Sequence, residues 1–146
     1  MSEPAWVCQC SVEVNVPPRF AWMFLTDIAN WVDPPAEFEL DGPFAPGTRG
    51  TTRMPGQPPR SWVITDVQPE SSFTSEMLLE EGALFIAIRR FDALPNGRTI
   101  WTQRLELLGE NAAKYVDACR AGFEPTIEPG MKRIAERMSE ARMRER

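Results

Sequence analysis

The stretch Trp6-Val-Cys-Gln-Cys-Ser-Val-Glu-Val-Asn-Val16-Pro17-Pro18-Arg-Phe-Ala-Trp-Met-Phe-Leu25 changes its period halfway along, and that change decides the fold. Up to Val16 the residues alternate, with Trp6, Cys8, Cys10, Val12, Val14 and Val16 on one side and Gln9, Ser11, Glu13 and Asn15 on the other. Such alternation marks a half-buried strand, because successive side chains of an extended chain point to opposite faces. Pro17 and Pro18 end it. A proline at the first helical position gives up only an N–H that has no helical partner, so Pro18 is expected to open a helix through Leu25. That helix is apolar nearly all round and needs cover on most sides. A second short turn is expected over residues 28–32, ahead of Pro34-Pro35. Asp27 is placed to cap it, since a carboxylate there accepts exposed backbone N–H groups.

Working outward, the middle of the chain reads as six strands, at residues 36–41, 48–54, 61–68, 72–79, 84–93 and 98–108. Gly42-Pro43, Pro46-Gly47, Pro55-Gly56, Glu81-Gly82 and Pro95-Asn96-Gly97 separate them, and spacings this short imply antiparallel pairing. From Asn111 the period becomes helical. Tyr115, Val116, Cys119 and Phe123 form one stripe, and Met131, Ile134, Ala135 and Met138 the next. Gly122, Pro125, Pro129 and Gly130 interrupt this run, so a helix of about ten residues, a bent junction and a longer helix with a polar tail are expected. The order is β-αα-β₆-α, an α+β arrangement.

The 146 residues fit a single domain, 1–146, with no internal repeat or linker-like stretch. Sixteen Lys and Arg against 21 Asp and Glu leave a net charge of -5, the wrong sign for neutralising phosphates, so nucleic acid is not expected as a partner. No run of 18 apolar residues argues for stable membrane insertion. Three cysteines form no even disulfide framework and no secretory leader is evident, which points to the cytoplasm. Histidine is absent, which removes His-based triads, HExxH zinc sites and imidazole relays. No GxSxG, P-loop, GxGxxG or paired-cysteine motif occurs, so neither metal nor cofactor is expected. Cys8 and Cys10 share a strand face and read as packed thiols rather than ligands.

Several strings carry a family resemblance: Val14-Asn-Val-Pro-Pro-Arg-Phe-Ala-Trp-Met-Phe-Leu-Thr-Asp27 with Trp31; Leu40-Asp-Gly-Pro-Phe-Ala-Pro-Gly-Thr-Arg-Gly50; Trp62-Val-Ile-Thr-Asp-Val-Gln-Pro69; and Gly97-Arg-Thr-Ile-Trp-Thr102. In this order they resemble the START-like, or SRPBCC, superfamily, in particular its polyketide cyclase/dehydrase and lipid-transport group. The resemblance implies a helix-grip fold, a curved antiparallel sheet wrapped around the C-terminal helix, with an apolar cavity between them for a small hydrophobic molecule. The chain departs from that pattern at residues 122–130, where its last helix should be bent or split.

Strand alternation then nominates the lining. In the last strand Thr99, Trp101, Gln103, Leu105 and Leu107 form the more apolar face, which makes Trp101 and Gln103 candidates. In the strand before it Phe85, Ala87, Arg89 and Phe91 oppose Leu84, Ile86, Ile88 and Arg90, so one of the two arginines faces inward. An inward Arg89 would need a carboxylate such as Glu76, or a carboxylate or carbonyl oxygen of a ligand. The two-sided apolar pattern also admits a homodimer that covers the outer face. Trp31, Trp62, Met77, Phe85 and Met131 complete the lining candidates, with plain core packing as the alternative for each. Acid–base candidates are Arg89, Glu76 and Tyr115; Asp27, Asp66 and Glu106 have surface or capping roles as their simpler explanation.

Two main functions follow. One is binding of a lipid-like or polyketide-like ligand. The other is a cyclase, aromatase or dehydratase working in the same cavity without metal or histidine. A weaker third is a protein-interaction module with no pocket.

Overall fold

The computed structural model describes residues 3–31 and 35–145. β1 (Trp6–Val14) leads through Pro17 into α1 (Pro18–Leu25), with Pro18 at its first helical position, as the sequence predicts. A 3₁₀ turn follows at Ile28–Asn30, where the Asp27 carboxylate accepts the Ala29 N–H at 3.0 Å. The turn had been expected to run to Val32, which, like Pro34, lies outside the described residues.

Six more strands follow: β2 (Glu37–Leu40), β3 (Arg49–Arg53), β4 (Arg60–Gln68), β5 (Ser72–Glu80), β6 (Ala83–Ala93) and β7 (Thr99–Leu108). They form a seven-stranded sheet in the order β1-β7-β6-β5-β4-β3-β2, antiparallel throughout. β1 closes against β7 in an unbroken register from Trp6 opposite Leu107 to Val14 opposite Thr99. Bulges interrupt the register near Ile64/Asp66 and Leu78/Glu80. An extra residue of this kind bends and twists its strand. At the end of β7 only glycine fits position 109. Its φ is +117°, and a Cβ there would lie 2.1 Å from the Gly82 carbonyl oxygen.

The C-terminal run begins differently from expectation, with a 3₁₀ turn at Ala112–Tyr115 before α2 (Val116–Phe123). It is then split, as the prolines predict, and resumes as α3 (Ile127–Arg144). Pro125 cannot donate to the carbonyl one turn back and its ring crowds that turn. Pro129 falls in the first turn of α3, where a missing N–H leaves no helical bond unmade.

α3 lies across β1, and the core packs between the inner sheet face and the helices. One cluster joins Val12, Val14, Phe24, Phe73, Phe91, Trp101, Met131 and Met138; another joins Trp6, Ala87, Leu105, Leu107 and Cys119. Alternation in β6 resolves as Phe85, Ala87, Arg89 and Phe91 inward and Arg90 exposed. On the outer face Ile86 sits between Glu76 and Glu106, and Ile88 between Thr74 and Arg104, a narrow apolar stripe flanked by polar side chains.

Candidate functional site

Between the sheet and the split helix lies a cavity of about 570 Å³. Strands β4 to β7 contribute through their inward residues: Trp101 and Gln103 from β7; Phe85, Ala87 and Arg89 from β6; Phe73, Ser75 and Met77 from β5; and Trp62 from β4. The helical side supplies Phe123, Ile127, Met131 and Ile134, and Trp31 comes from the end of the 3₁₀ turn. The residues nominated from sequence, Trp31, Trp62, Met77, Phe85, Arg89, Trp101, Gln103 and Met131, all line this one space. Its size falls in the usual range for small-molecule sites, and its walls are largely aromatic.

The aromatic wall depends on a missing side chain. Gly50 on β3 lies opposite Trp62, and a Cβ at Gly50 would fall 2.2 Å from the Trp62 ring. Glycine therefore lets the indole lie flat across the neighbouring strand, where its N–H donates to Thr52 Oγ1 at 3.0 Å. Trp31 stacks on this ring, with centroids 5.5 Å apart and planes 24° from parallel. Trp31 is itself fixed, because its indole N–H donates to the Leu25 carbonyl at 2.8 Å while Asn30 Nδ2 donates to the Phe24 carbonyl at 2.9 Å. From α3, the Arg137 guanidinium donates to the Asn30 carbonyl and ties the helix to the turn across the cavity mouth.

Arg89 is the charge within this wall. It is half-buried and its guanidinium lies over the rings of Trp31 and Phe73, at 5.7 and 5.4 Å from their centroids. Nη1 donates to Ser75 Oγ at 3.2 Å. Desolvation lowers its pKa from the ordinary arginine range to about 10, so the charge persists at neutral pH but is held there at a cost. The expected pairing with Glu76 is not made. Glu76 follows Ser75 directly on β5, so the pleat sends its side chain to the opposite face, beside Ile86.

Tyr115 also lies away from the cavity lining. Its hydroxyl donates to Glu80 Oε1 at 2.5 Å, and Lys114 Nζ lies 2.6 Å from the same oxygen. The Lys114 hydrogen bond, seconded by that from Tyr115, holds Glu80 below the usual carboxylate range, while the bond to Glu80 raises the Tyr115 phenol. Glu106 pairs with Arg104 at 2.6 Å and Asp66 accepts from Gln68 Nε2 at 3.0 Å, outside the lining. Burial raises the thiols of Cys8, Cys10 and Cys119. Among the described residues no three Cys, Asp or Glu side chains converge in a way that could hold a metal ion.

Sequence reasoning missed Phe73, Ser75, Arg133 and Arg137. The first two share a β5 face with Met77, so period-2 counting would have found them. Arg133 and Arg137 are four apart on α3 and border the apolar stripe, a spacing that puts both beside the cavity mouth.

A curved seven-stranded sheet gripping its split final helix around an apolar cavity defines a helix-grip, START-like protein. The chain belongs to the family described as polyketide cyclase / dehydrase and lipid transport, whose pattern matches residues 6–141. No curated protein matches it. Its fold is similar to norcoclaurine synthase from Thalictrum flavum, solved in complex with dopamine and hydroxybenzaldehyde, at a TM-score of 0.70 and 13% identity over 92% of this chain and 86% of that one. A Thermobifida fusca protein matches at 0.72 and 13% identity, covering 92% and 93% of the two chains. A Nitrosomonas europaea protein matches at 0.69 and 15% identity, covering 94% and 96%. Family and fold thus fit a helix-grip protein that binds a hydrophobic ligand. Among the described residues no helix is long and apolar enough to cross a membrane.

Proposed function

We propose that this protein encloses a small hydrophobic molecule, lipid-like or polyketide-like, in the space between its sheet and its split C-terminal helix. The observation that carries this reading is the cavity of about 570 Å³ walled by Trp31, Trp62, Phe73, Phe85 and Trp101. Apolar surface of this kind gains free energy when a ligand displaces water from it. The junction of the split helix also borders this space, through Gly122, Thr126 and Gly130.

A cyclase or dehydratase is the second reading, favoured by one feature, the inward Arg89–Ser75 pair. A guanidinium there can stabilise developing negative charge on a carbonyl oxygen. Against it, no carboxylate, tyrosine or cysteine is among the described lining residues, so proton transfer has no evident agent.

Native mass spectrometry of the purified protein and thermal unfolding with the neutral dye phenylnaphthylamine test the binding reading. A co-purifying mass, or a rise in Tm with saturating dye, is expected, since a ligand bound only by the folded state stabilises it. Absence of both overturns the proposal.

A further inference from the structure

We propose that the ligand is an amphipathic organic anion, its apolar body against the aromatic wall and a carboxylate or similar oxyanion docked on Arg89, with Trp101 Nε1–H as a further donor. The inference rests on the binding reading above and names the chemistry of its ligand.

Three observations converge on it. Arg89 has five N–H donors, of which one bonds Ser75, and it forms no ion pair with any described residue. A desolvated charge without a counter-ion is a standing cost, which a bound anion would remove. Second, Trp101 is 2% exposed and its indole N–H has no hydrogen-bond partner. A buried donor of this type is normally paired. The register brings the two together: Arg89 lies directly opposite Gln103 and Phe91 opposite Trp101, so Trp101 is the diagonal neighbour of Arg89 on the inner face, within reach of long side chains. Third, every charged residue among the described lining is an arginine, Arg89 in the wall and Arg133 and Arg137 towards the mouth, in a chain whose net charge is -5. An acidic protein whose described cavity lining carries cations and no anion is arranged for a negative guest.

Two dyes that share one apolar body separate the possibilities. Anilinonaphthalene sulfonate carries the anion, and phenylnaphthylamine lacks it. Fluorescence titration of the wild type is expected to show the sulfonate binding about tenfold or more tightly than the neutral dye, the scale of a charge-assisted hydrogen bond. Arg89→Met should remove that preference, so that the sulfonate binds this variant no more tightly than the neutral dye does. Arg89→Lys, which keeps the charge, should retain it, and Arg133→Gln, which removes one cation from the lining, should weaken it less than Arg89→Met does. Equal affinities in the wild type, or a preference lost in Arg133→Gln and kept in Arg89→Met, overturn the inference while binding of the neutral dye leaves the cavity reading standing. Failure of both dyes to bind overturns the two together. Urea unfolding of each variant confirms that a lost preference is not lost structure.

Discussion

Arg89→Met is expected to stabilise the ligand-free protein while stripping the cavity of its buried charge. Desolvation holds the guanidinium at about 10, well below the ordinary arginine range. That difference, at about 1.36 kcal/mol per pH unit, sets the cost of carrying the charge at roughly 3 kcal/mol. Because a base lowered in the folded state is still protonated in both states at pH 7, the cost is fully present there. It is relieved only as the pH rises above about 10. The contacts with the Trp31 and Phe73 rings return about 0.5–1 kcal/mol each, which methionine forgoes. Methionine has similar reach and adapts to irregular gaps. The net expectation is about 1 kcal/mol in favour of the variant, a Tm rise of roughly 2–4 °C for a chain of this size. Urea unfolding at pH 7, followed by tryptophan fluorescence and far-UV circular dichroism, measures it. A loss of about 1 kcal/mol or more at unchanged m-value would refute the reasoning, because it would mean that Arg89 is satisfied within the protein and needs no guest.

Gly50→Ala should cost about 1–3 kcal/mol in the same assay and weaken neutral-dye binding, because the new methyl meets the Trp62 ring at 2.2 Å and displaces it from Trp31; an unchanged midpoint would show that the ring has room to move. Tyr115→Phe should leave dye affinity untouched, since the phenol bonds Glu80 away from the cavity lining, and a severalfold loss would return Tyr115 to the site. Cys8, Cys10 and Cys119, all raised by burial, should react with iodoacetamide at neutral pH more slowly than free cysteine and at ordinary rates only in urea. Rapid modification of the folded protein would contradict the burial assigned to them.

Where the sequence was informative, the reason was local. The alternation from Trp6 to Val14 needs only the two-residue pleat, and Pro18 opens α1 through its own ring. The same pleat put Trp101, Gln103, Phe85 and Arg89 on one face and, once the sheet closed, around one cavity. Pro125 and Pro129 likewise announced a split helix. The Arg89–Glu76 pairing failed because it was drawn from charge rather than from facing; the pleat that brings Ser75 under Arg89 turns Glu76 away. Tyr115 was nominated for its chemistry, and nothing local to it revealed that Glu80, on another strand, would claim its hydroxyl.

The sequence by itself therefore determined the element order, the two faces of the first and last strands and the break in the last helix, since all three follow from periodicity and proline sterics over a few residues. Only the tertiary structure decided how those faces meet. The stacking of Trp31 on Trp62 over Gly50, the isolation of Arg89 from any described carboxylate and the unpartnered Trp101 N–H arise between residues far apart in the chain. Their geometry is set by sheet register and helix placement, which single-strand periodicity does not encode.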